Sequence, residues 1–328
     1  MNETNSTTAA VDATFAADVQ AGLTAAQKHL PSKYLYDARG DAIFQDIMAM
    51  DAYYPTRCEH EIFRTHKEEM LRQFSADGKK FQLIEFGAGD GMKTKVLLRY
   101  FWEQSSGLTY VPIDISAHII QELTEDLKET LPGLKVHGIC NDYFRAFDEL
   151  ATTGDDPTMR KVVLFLGANI GNFNPEESVE FLRKIAHQLA PGDCLLIGFD
   201  LKKDPRRILD AYFDKEGITE SFKMNLLERI NRELGGSFET DKFLYNPIYH
   251  PADGSIFSYL VSKQEQDIYI EAIDRTIHFD AWETIYMERS QKYSKKDIRQ
   301  LAEQTGFEVV RNFYDQEHLF TDSLWVLK

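Results

Sequence analysis

Between residues 81 and 201 short apolar runs alternate with helical stretches, and that rhythm constrains the fold more than any other feature of the chain. The runs are FQLIEFGAGDG (81–91), LTYVPIDIS (108–116), LKVHGICND (134–142), KVVLFLGANIGNF (161–173) and DCLLIGFDL (193–201). MKTKVLLRYFWEQ, SAHIIQELTEDLKETLP and NPEESVEFLRKIAHQL lie between them with helical spacing. The last of these opens with Asn174 as N-cap, Pro175 at the first helical position and two acids in the first turn, which is helix-start chemistry. Strands spaced by helices in this way imply right-handed βαβ units and a parallel sheet.

After residue 201 the rhythm stops. Residues 202–250 read as helical, and SIFSYLVSK, QDIYIEAI and RTIHFDAWETIYMERS then suggest an antiparallel meander. SKKDIRQLAEQTGF is an amphipathic helix ended by Gly306, and FEVVRNFYD and DSLWVLK are two closing strands. A five-strand α/β core, an insertion and a final helix with a hairpin is the layout of a class I methyltransferase. The expected fold is therefore α/β, a Rossmann-like methyltransferase domain with a seven-stranded, mostly parallel sheet, plus a second α+β substrate-binding domain. The insertion is too long and too structured for a loop. We assign residues 1–12 to a disordered N-terminus, 13–62 and 200–287 to the substrate-binding domain, and 63–199 and 288–328 to the methyltransferase domain.

Composition narrows the partners. The net charge of −16 over 328 residues argues against a nucleic-acid backbone or an anionic membrane as partner and says little about a small-molecule substrate, because a pocket can differ in sign from the whole. Cys58, Cys140 and Cys194 lie far apart without metal-site spacing, so free thiols in a reducing compartment and no metal are expected. No apolar stretch approaches the ~18 residues of a membrane span, and MNETNSTTAAVDATF lacks the basic and apolar regions of a signal peptide. A monomer in the cytoplasm is the expectation.

Within EFGAGDG, Gly87, Gly89 and Gly91 stand where a strand ends and a helix begins. Glycine there permits positive φ and close approach of a ligand to the backbone. A dinucleotide fingerprint would need glycine where Met92 stands. Asp114, at the end of the second strand, is placed to accept from ribose hydroxyls, a role that serves NAD and S-adenosylmethionine alike. Glu85 before the glycines, Lys93 after them, Asp142 at the end of the third strand and the terminal helix and hairpin favour S-adenosylmethionine. The alternative is that Asp114 and Asp142 only cap the helices that follow them.

With these residues in hand, the sequence resembles the histidine-specific Nα-methyltransferases of ergothioneine biosynthesis, from about residue 30 to the C-terminus. The resemblance rests on YLYDARGDAIFQDI, YYPTRCE, EFGAGDGMKTKVLL, YVPIDIS, FLGANIGNF, DPRRILDAYFD, NRELGG and ERSQKYS. It implies S-adenosylmethionine contacts at Gly87, Lys93, Asp114, Asp142 and Tyr143. It implies a substrate pocket of Tyr36, Tyr53, Asn172, Tyr212, Glu288 and Ser290, with Glu288 and Ser290 on the imidazole and the asparagine and tyrosines on the backbone end. Ser258, in IFSYL, stands where better-known members have methionine, which implies a different shape beside the imidazole. The implied product is Nα,Nα,Nα-trimethyl-L-histidine, hercynine.

Methyl transfer from a sulfonium is an in-line displacement, so presenting a neutral amine along the S–CH3 axis is the main demand. Tyr36, Tyr53 and Asn172 are the expected catalytic positions, with Tyr36 or a water as proton acceptor. Glu288 and Ser290, two apart on an extended segment, point to the same face and together can satisfy both imidazole nitrogens. Without the resemblance the pair reads as a solvated strand edge, Asn172 as a turn residue, and Tyr53 and Tyr212 as packing residues. The rival functions are the same fold acting on tryptophan or an alkaloid precursor, a non-catalytic scaffold, and an NAD-dependent oxidoreductase.

Overall fold

The computed structural model describes residues 3–78, 80–104, 107–153 and 159–328. The first helices are α1 (Glu3–Leu23), α2 (Ala38–Ala49) and α3 (Tyr54–Phe74). Then come β1 (Phe81–Phe86), α4 (Thr94–Gln104), β2 (Leu108–Asp114), α5 (Ala117–Thr130), β3 (Lys135–Val136) and β4 (Ile139–Cys140). They are followed by α6 (Tyr143–Thr153), β5 (Arg160–Phe165), α7 (Pro175–Gln188), β6 (Cys194–Asp200), α8 (Pro205–Asp210) and α9 (Ile218–Leu234). The C-terminal third holds β7 (Phe243–His250), β8 (Ser255–Ser262), β9 (Gln266–Ile270), β10 (Arg275–Phe279) and β11 (Thr284–Gln291). The chain closes with α10 (Lys295–Gln304), β12 (Phe307–Tyr314) and β13 (Phe320–Leu327).

Two compact units result, each built from separated stretches of chain. One comprises residues up to Tyr53 together with Lys203–Ser290; the other comprises Tyr54–Lys202 and Gln291–Lys328. The boundaries differ from the expected 62/63 and 287/288. Helix α3 belongs whole to the second unit, since a continuous helix is a single packing element, and Glu288 and Ser290 fall in the first unit with the rest of β11 up to Ser290. The expected disordered stretch 1–12 also differs: the backbone is helical from Glu3, in a run that no proline or glycine interrupts before Gly22. Met1 and Asn2 lie outside the described residues.

In the second unit one sheet has the order β12-β13-β6-β5-β1-β2-β3. β5, β1 and β2 run parallel to their neighbours, whereas β13 is antiparallel to both β6 and β12. This is the Rossmann-like methyltransferase order expected. The sheet counts eight strands rather than seven because the third parallel strand is split: β3 and β4 both pair with β2. The break falls at Gly138, where a Cβ would come within 2.6 Å of Ile120 on α5. Strands β1 and β6 are buried along their whole length, as parallel strands covered on both faces must be. Phe86, Phe165, Phe181, Phe199 and Trp325 fill the core between sheet and helices. The start of α7 is as expected: Asn174 accepts from Glu177 N at 2.9 Å and Glu177 from Asn174 N at 2.8 Å.

The first unit packs α1, α2 and α9 with a three-stranded sheet, β11-β8-β7, and the β9–β10 hairpin. The expected helical stretch 202–250 ends early, and Phe243–His250 is a strand. Pro247 obscures it in the sequence, yet β7 is an edge strand, where a missing N–H is tolerated. The expected single meander is divided between two sheets: the chain leaves β8 to form the β9–β10 hairpin and returns to pair β11 with β8 after a turn at Trp282, a non-glycine residue at φ 69°. Leu30 N and Tyr286 N exchange hydrogen bonds with Tyr286 O and Lys28 O, stitching the N-terminal segment to β11. Among the described residues no helix is long and apolar enough to cross a membrane.

Candidate active site

In the second unit the sheet's β1 runs out into three glycines in the left-handed region: Gly87 at φ 66°, Gly89 at 54° and Gly91 at 65°. The N–H groups of Gly87 and Ala88 both bond Ile113 O, which holds the loop across the end of β2. Asp114 follows immediately. Its Oδ2 accepts from Gly89 N at 3.3 Å and its Oδ1 from Ser116 N at 3.0 Å. Each carboxylate oxygen retains further lone-pair capacity for a ligand hydroxyl. A Cβ at Gly89 would meet nothing within 4 Å, so backbone there is open to close approach. Tyr143 stacks flat on Phe86, with centroids 4.6 Å apart at 7°. Burial first, and then the charge of Asp114, push its phenol up to about 12. An open glycine loop, a carboxylate with spare acceptors and an aromatic wall fit an adenosyl ligand.

The expected alternative for Asp142 is realised at one oxygen. Its Oδ1 accepts from Phe144 N and Arg145 N and so caps α6, while its Oδ2 lies 3.2 Å from Arg145 Nε. Asp114 does not cap α5, whose N-cap is Ser116. Lys93 forms an ion pair with Glu59 of α3. Burial disfavours the Lys93 ammonium, but Glu59 more than offsets this and its pKa is raised. The other Glu59 oxygen accepts from Gly167 N at 2.8 Å. Gly167 and Ala168, at φ 73° and 60°, open the tight turn Asn169–Asn172 after β5. Asn172 stands exposed at its end. A Cβ at Gly171 would come within 2.8 Å of Gln291 O, so no larger residue fits under this turn.

Glu59 has a second acidic neighbour that the sequence reading missed. Asp322 on β13 is fully buried with no donor to either oxygen. Burial and then the Glu59 charge push its carboxyl far above the usual range, against the opposing charge of Lys93. Glu85 is buried as well, and burial raises its carboxyl to about 7 against bonds from Thr94 Oγ1 at 2.6 Å and Tyr110 at 2.5 Å.

The first unit brings together most of the remaining expected residues. Along β11 the alternation places Ile285 and Met287 in the core, which sends Glu288 and Ser290 to the opposite face. Tyr212, just after α8, donates to Ser290 Oγ at 2.7 Å. Glu288 is paired with Lys223 of α9 at 2.5 Å. Ser258 on β8 is buried and lies 3.1 Å from the Tyr245 hydroxyl. Burial, opposed by the Ser258 bond and reinforced by the charge of Glu288, raises the Tyr245 phenol. Tyr36 is 41% exposed, its ring edge-on to Phe44 and Phe222 at 5.6 and 5.5 Å. Tyr53 is half-buried against the other side of this aromatic group, 6.4 Å from Phe44. Lys223 and Tyr245 were missed by the sequence reading. The signal for Lys223 was its place on the apolar stripe of α9, in step with Thr219, Leu227 and Ile230.

The profile of the family described as histidine-specific methyltransferase, SAM-dependent, matches residues 15–327. The chain belongs to this family. A histidine N-alpha-methyltransferase of Mycolicibacterium smegmatis is 35% identical over 287 residues, 87% of each chain. One of Mycobacterium tuberculosis is 33% identical over 307 residues, 94% of this chain and 93% of that one. Ergothioneine biosynthesis protein 1 of Schizosaccharomyces pombe is 30% identical over 287 residues, 87% of this chain but 37% of that longer protein. The enzyme is thus an S-adenosylmethionine-dependent methyltransferase.

Proposed function

We propose that this enzyme methylates the α-amino group of L-histidine up to the trimethylated betaine. The observation that carries the reading is the Glu288–Ser290 pair on one face of β11, tied to Tyr212 and Lys223, in a chain that matches a histidine-specific family over nearly its whole length. A carboxylate and a hydroxyl two residues apart can satisfy the two nitrogens of one imidazole. An apolar side chain would leave both groups unpaired, and that is how a polar pocket rejects it.

Gly87, Gly89, Asp114, Asp142, Tyr143 and Lys93 would hold S-adenosylmethionine, whose sulfonium supplies an electrophilic methyl group when bound. Asp114 would accept from ribose hydroxyls through its spare lone pairs. Lys93 would act chiefly by fixing the loop through Glu59, which also fixes the Gly167 N–H at the base of the Asn172 turn. Asn172, able to donate and accept through one amide, would orient the amino-acid carboxylate and amine. Tyr36 and Tyr53 would line the amine end, with Tyr36 or a water taking its proton. Tyr212 would set the Ser290 hydroxyl, and Ser258 the wall beside the ring. A neutral amine is the nucleophile, and a partly buried site favours that form over the ammonium. The free thiols Cys58, Cys140 and Cys194 support work in the reducing cytoplasm, and the enzyme is read as a monomer.

The rival with the same chemistry is another free amino acid such as tryptophan, whose indole has no second nitrogen for the pair. An assay of all twenty amino acids with S-adenosylmethionine, read by mass spectrometry, decides between them. Histidine is expected to gain up to three methyl groups. Methylation of another amino acid with none on histidine would overturn the substrate while leaving the enzyme class intact.

A further inference from the structure

Lys223 lies in an unbroken buried run of α9, Phe222–Leu227, and is itself 3% exposed. Its ammonium meets Glu288 Oε2 at 2.5 Å and stands 5.0 Å from the centroid of the Phe222 ring. An ammonium in such a place is tolerated because it is paired. The pairing partner is the carboxylate read above as the imidazole contact, so the inference rests on that reading. We propose that Lys223 is a specificity-determining residue: by neutralising Glu288 it makes the side-chain subsite accept the uncharged imidazole of histidine and reject cationic side chains.

The argument is one of charge. A lone carboxylate in a half-buried site would favour an imidazolium over an imidazole, and would welcome the side chains of lysine and arginine as well. With Lys223 on one oxygen, the pair is neutral overall, and an incoming cation gains little from Glu288 while facing the ammonium behind it. A neutral imidazole loses nothing: its N–H can still be accepted by the carboxylate, and its bare nitrogen can accept from a hydroxyl such as that of Ser290. The other groups around the pair do not supply a second cation. Tyr245 on β7 is held neutral by burial. Tyr212 engages Ser290. Asp214, before α9, takes the N–H groups of Ile218 and Thr219 at 2.7 and 2.9 Å. Glu220 on α9 accepts from Tyr245 N, and Arg289 is paired with Asp253. Among the described residues, Lys223 is the cation paired with Glu288.

The test measures protons. L-histidine is titrated into the enzyme saturated with S-adenosylhomocysteine, at pH 6 and pH 8, in buffers of different ionisation enthalpy. Free histidine carries the imidazolium in roughly three quarters of molecules at pH 6 and almost none at pH 8. The imidazole should therefore contribute about 0.75 more protons released per histidine bound at pH 6 than at pH 8, and a roughly four-fold weakening at pH 6, on top of any release by the α-ammonium, which is common to every variant. Lys223→Met should lose both the excess release and the four-fold weakening, and Lys223→Arg should keep them. Should the methionine variant fail to fold, Lys223→Gln, which keeps a polar group beside Glu288 but no charge, takes its place. No excess proton release by the intact enzyme, or the same excess in Lys223→Met, overturns the proposal. S-adenosylhomocysteine binding without histidine binding at either pH overturns the substrate reading, and the proposal with it.

Discussion

Glu85 and Asp322 in the second unit, and Glu288 in the first, are acids removed from water by two different means. Glu85 lies among neutral donors, Thr94 and Tyr110, and burial raises its carboxyl to about 7. Asp322 is pushed further up by burial and by the acid Glu59, which outweigh the opposing charge of Lys93. Glu288 instead faces an ammonium, Lys223, and forms an ion pair. An acid held neutral can rigidify a loop without attracting a charged ligand. An acid held by a lysine keeps its charge where a substrate can use it. The difference separates a frame beneath the glycine loop from the subsite proposed to read the substrate's side chain.

The largest effect should come from breaking the ion pair. Glu288→Ala leaves the Lys223 ammonium buried without a partner and should destabilise the protein by about 3–5 kcal/mol, read by urea denaturation. Glu288→Ala combined with Lys223→Met removes both charges and should restore most of that loss. If the single and double variants were equally destabilised, the pair would not be holding its charge as described.

The neutral acid predicts a pH dependence of the opposite kind. A carboxyl kept protonated to about pH 7 in the folded state retains a proton that the unfolded chain has lost above about 4.5. Stability from Glu85 therefore falls as pH rises from 4.5 to 7, by about 3 kcal/mol in all. Glu85→Gln should flatten this slope in denaturation curves taken across that window. A wild-type curve that rises at the same rate as that of Glu85→Gln would mean Glu85 is ionised in the fold.

The two regions were also unequally legible in the sequence. The glycine loop, Asp114 and the parallel strands follow from local rules: a strand end, positive φ, a helix start, each written within a few adjacent residues. The Asn174–Pro175 helix start is of the same kind. Contacts of the first unit are set by folding. Glu288 meets Lys223 across 65 positions and Ser290 meets Tyr212 across 78, and no local pattern encodes such a pairing. The E-x-S spacing alone could only say that two side chains share a face. Strand β7 was hidden because Pro247 reads as a strand breaker unless the strand is known to lie on an edge. Glu59 and Asp322 likewise acquire meaning only when α3 and β13 are packed together.

A smaller effect should separate the units by ligand. Gly89→Ala forces a side chain into the left-handed region at φ 54°, at a cost of about 1–2 kcal/mol, with no clash to add because nothing lies within 4 Å. Because the added methyl would stand where the cofactor is proposed to approach the backbone, calorimetry should show S-adenosylhomocysteine binding weakened by roughly ten-fold. The Tm should drop by only a few degrees. Unchanged S-adenosylhomocysteine binding would remove the loop from the proposed cofactor site.

The smallest change tests whether the first unit's hydrogen bonds position its hydroxyl. Tyr212→Phe deletes the donor to Ser290 Oγ while keeping the ring and its packing. The serine is not left wholly unsatisfied, since it lies at the end of a strand with other partners, so the loss should be that of one neutral hydrogen bond, about 0.5–1.5 kcal/mol. In kinetics this is a two- to ten-fold fall in kcat/KM for histidine. If Tyr212 acts only by orienting Ser290 against the imidazole, the change should lie in KM, with kcat nearly constant. A fall in kcat at constant KM would place the phenol beside the reacting amine instead. The double variant Tyr212→Phe with Ser290→Ala then distinguishes the two, since a positioning tyrosine has nothing left to lose once its serine is gone.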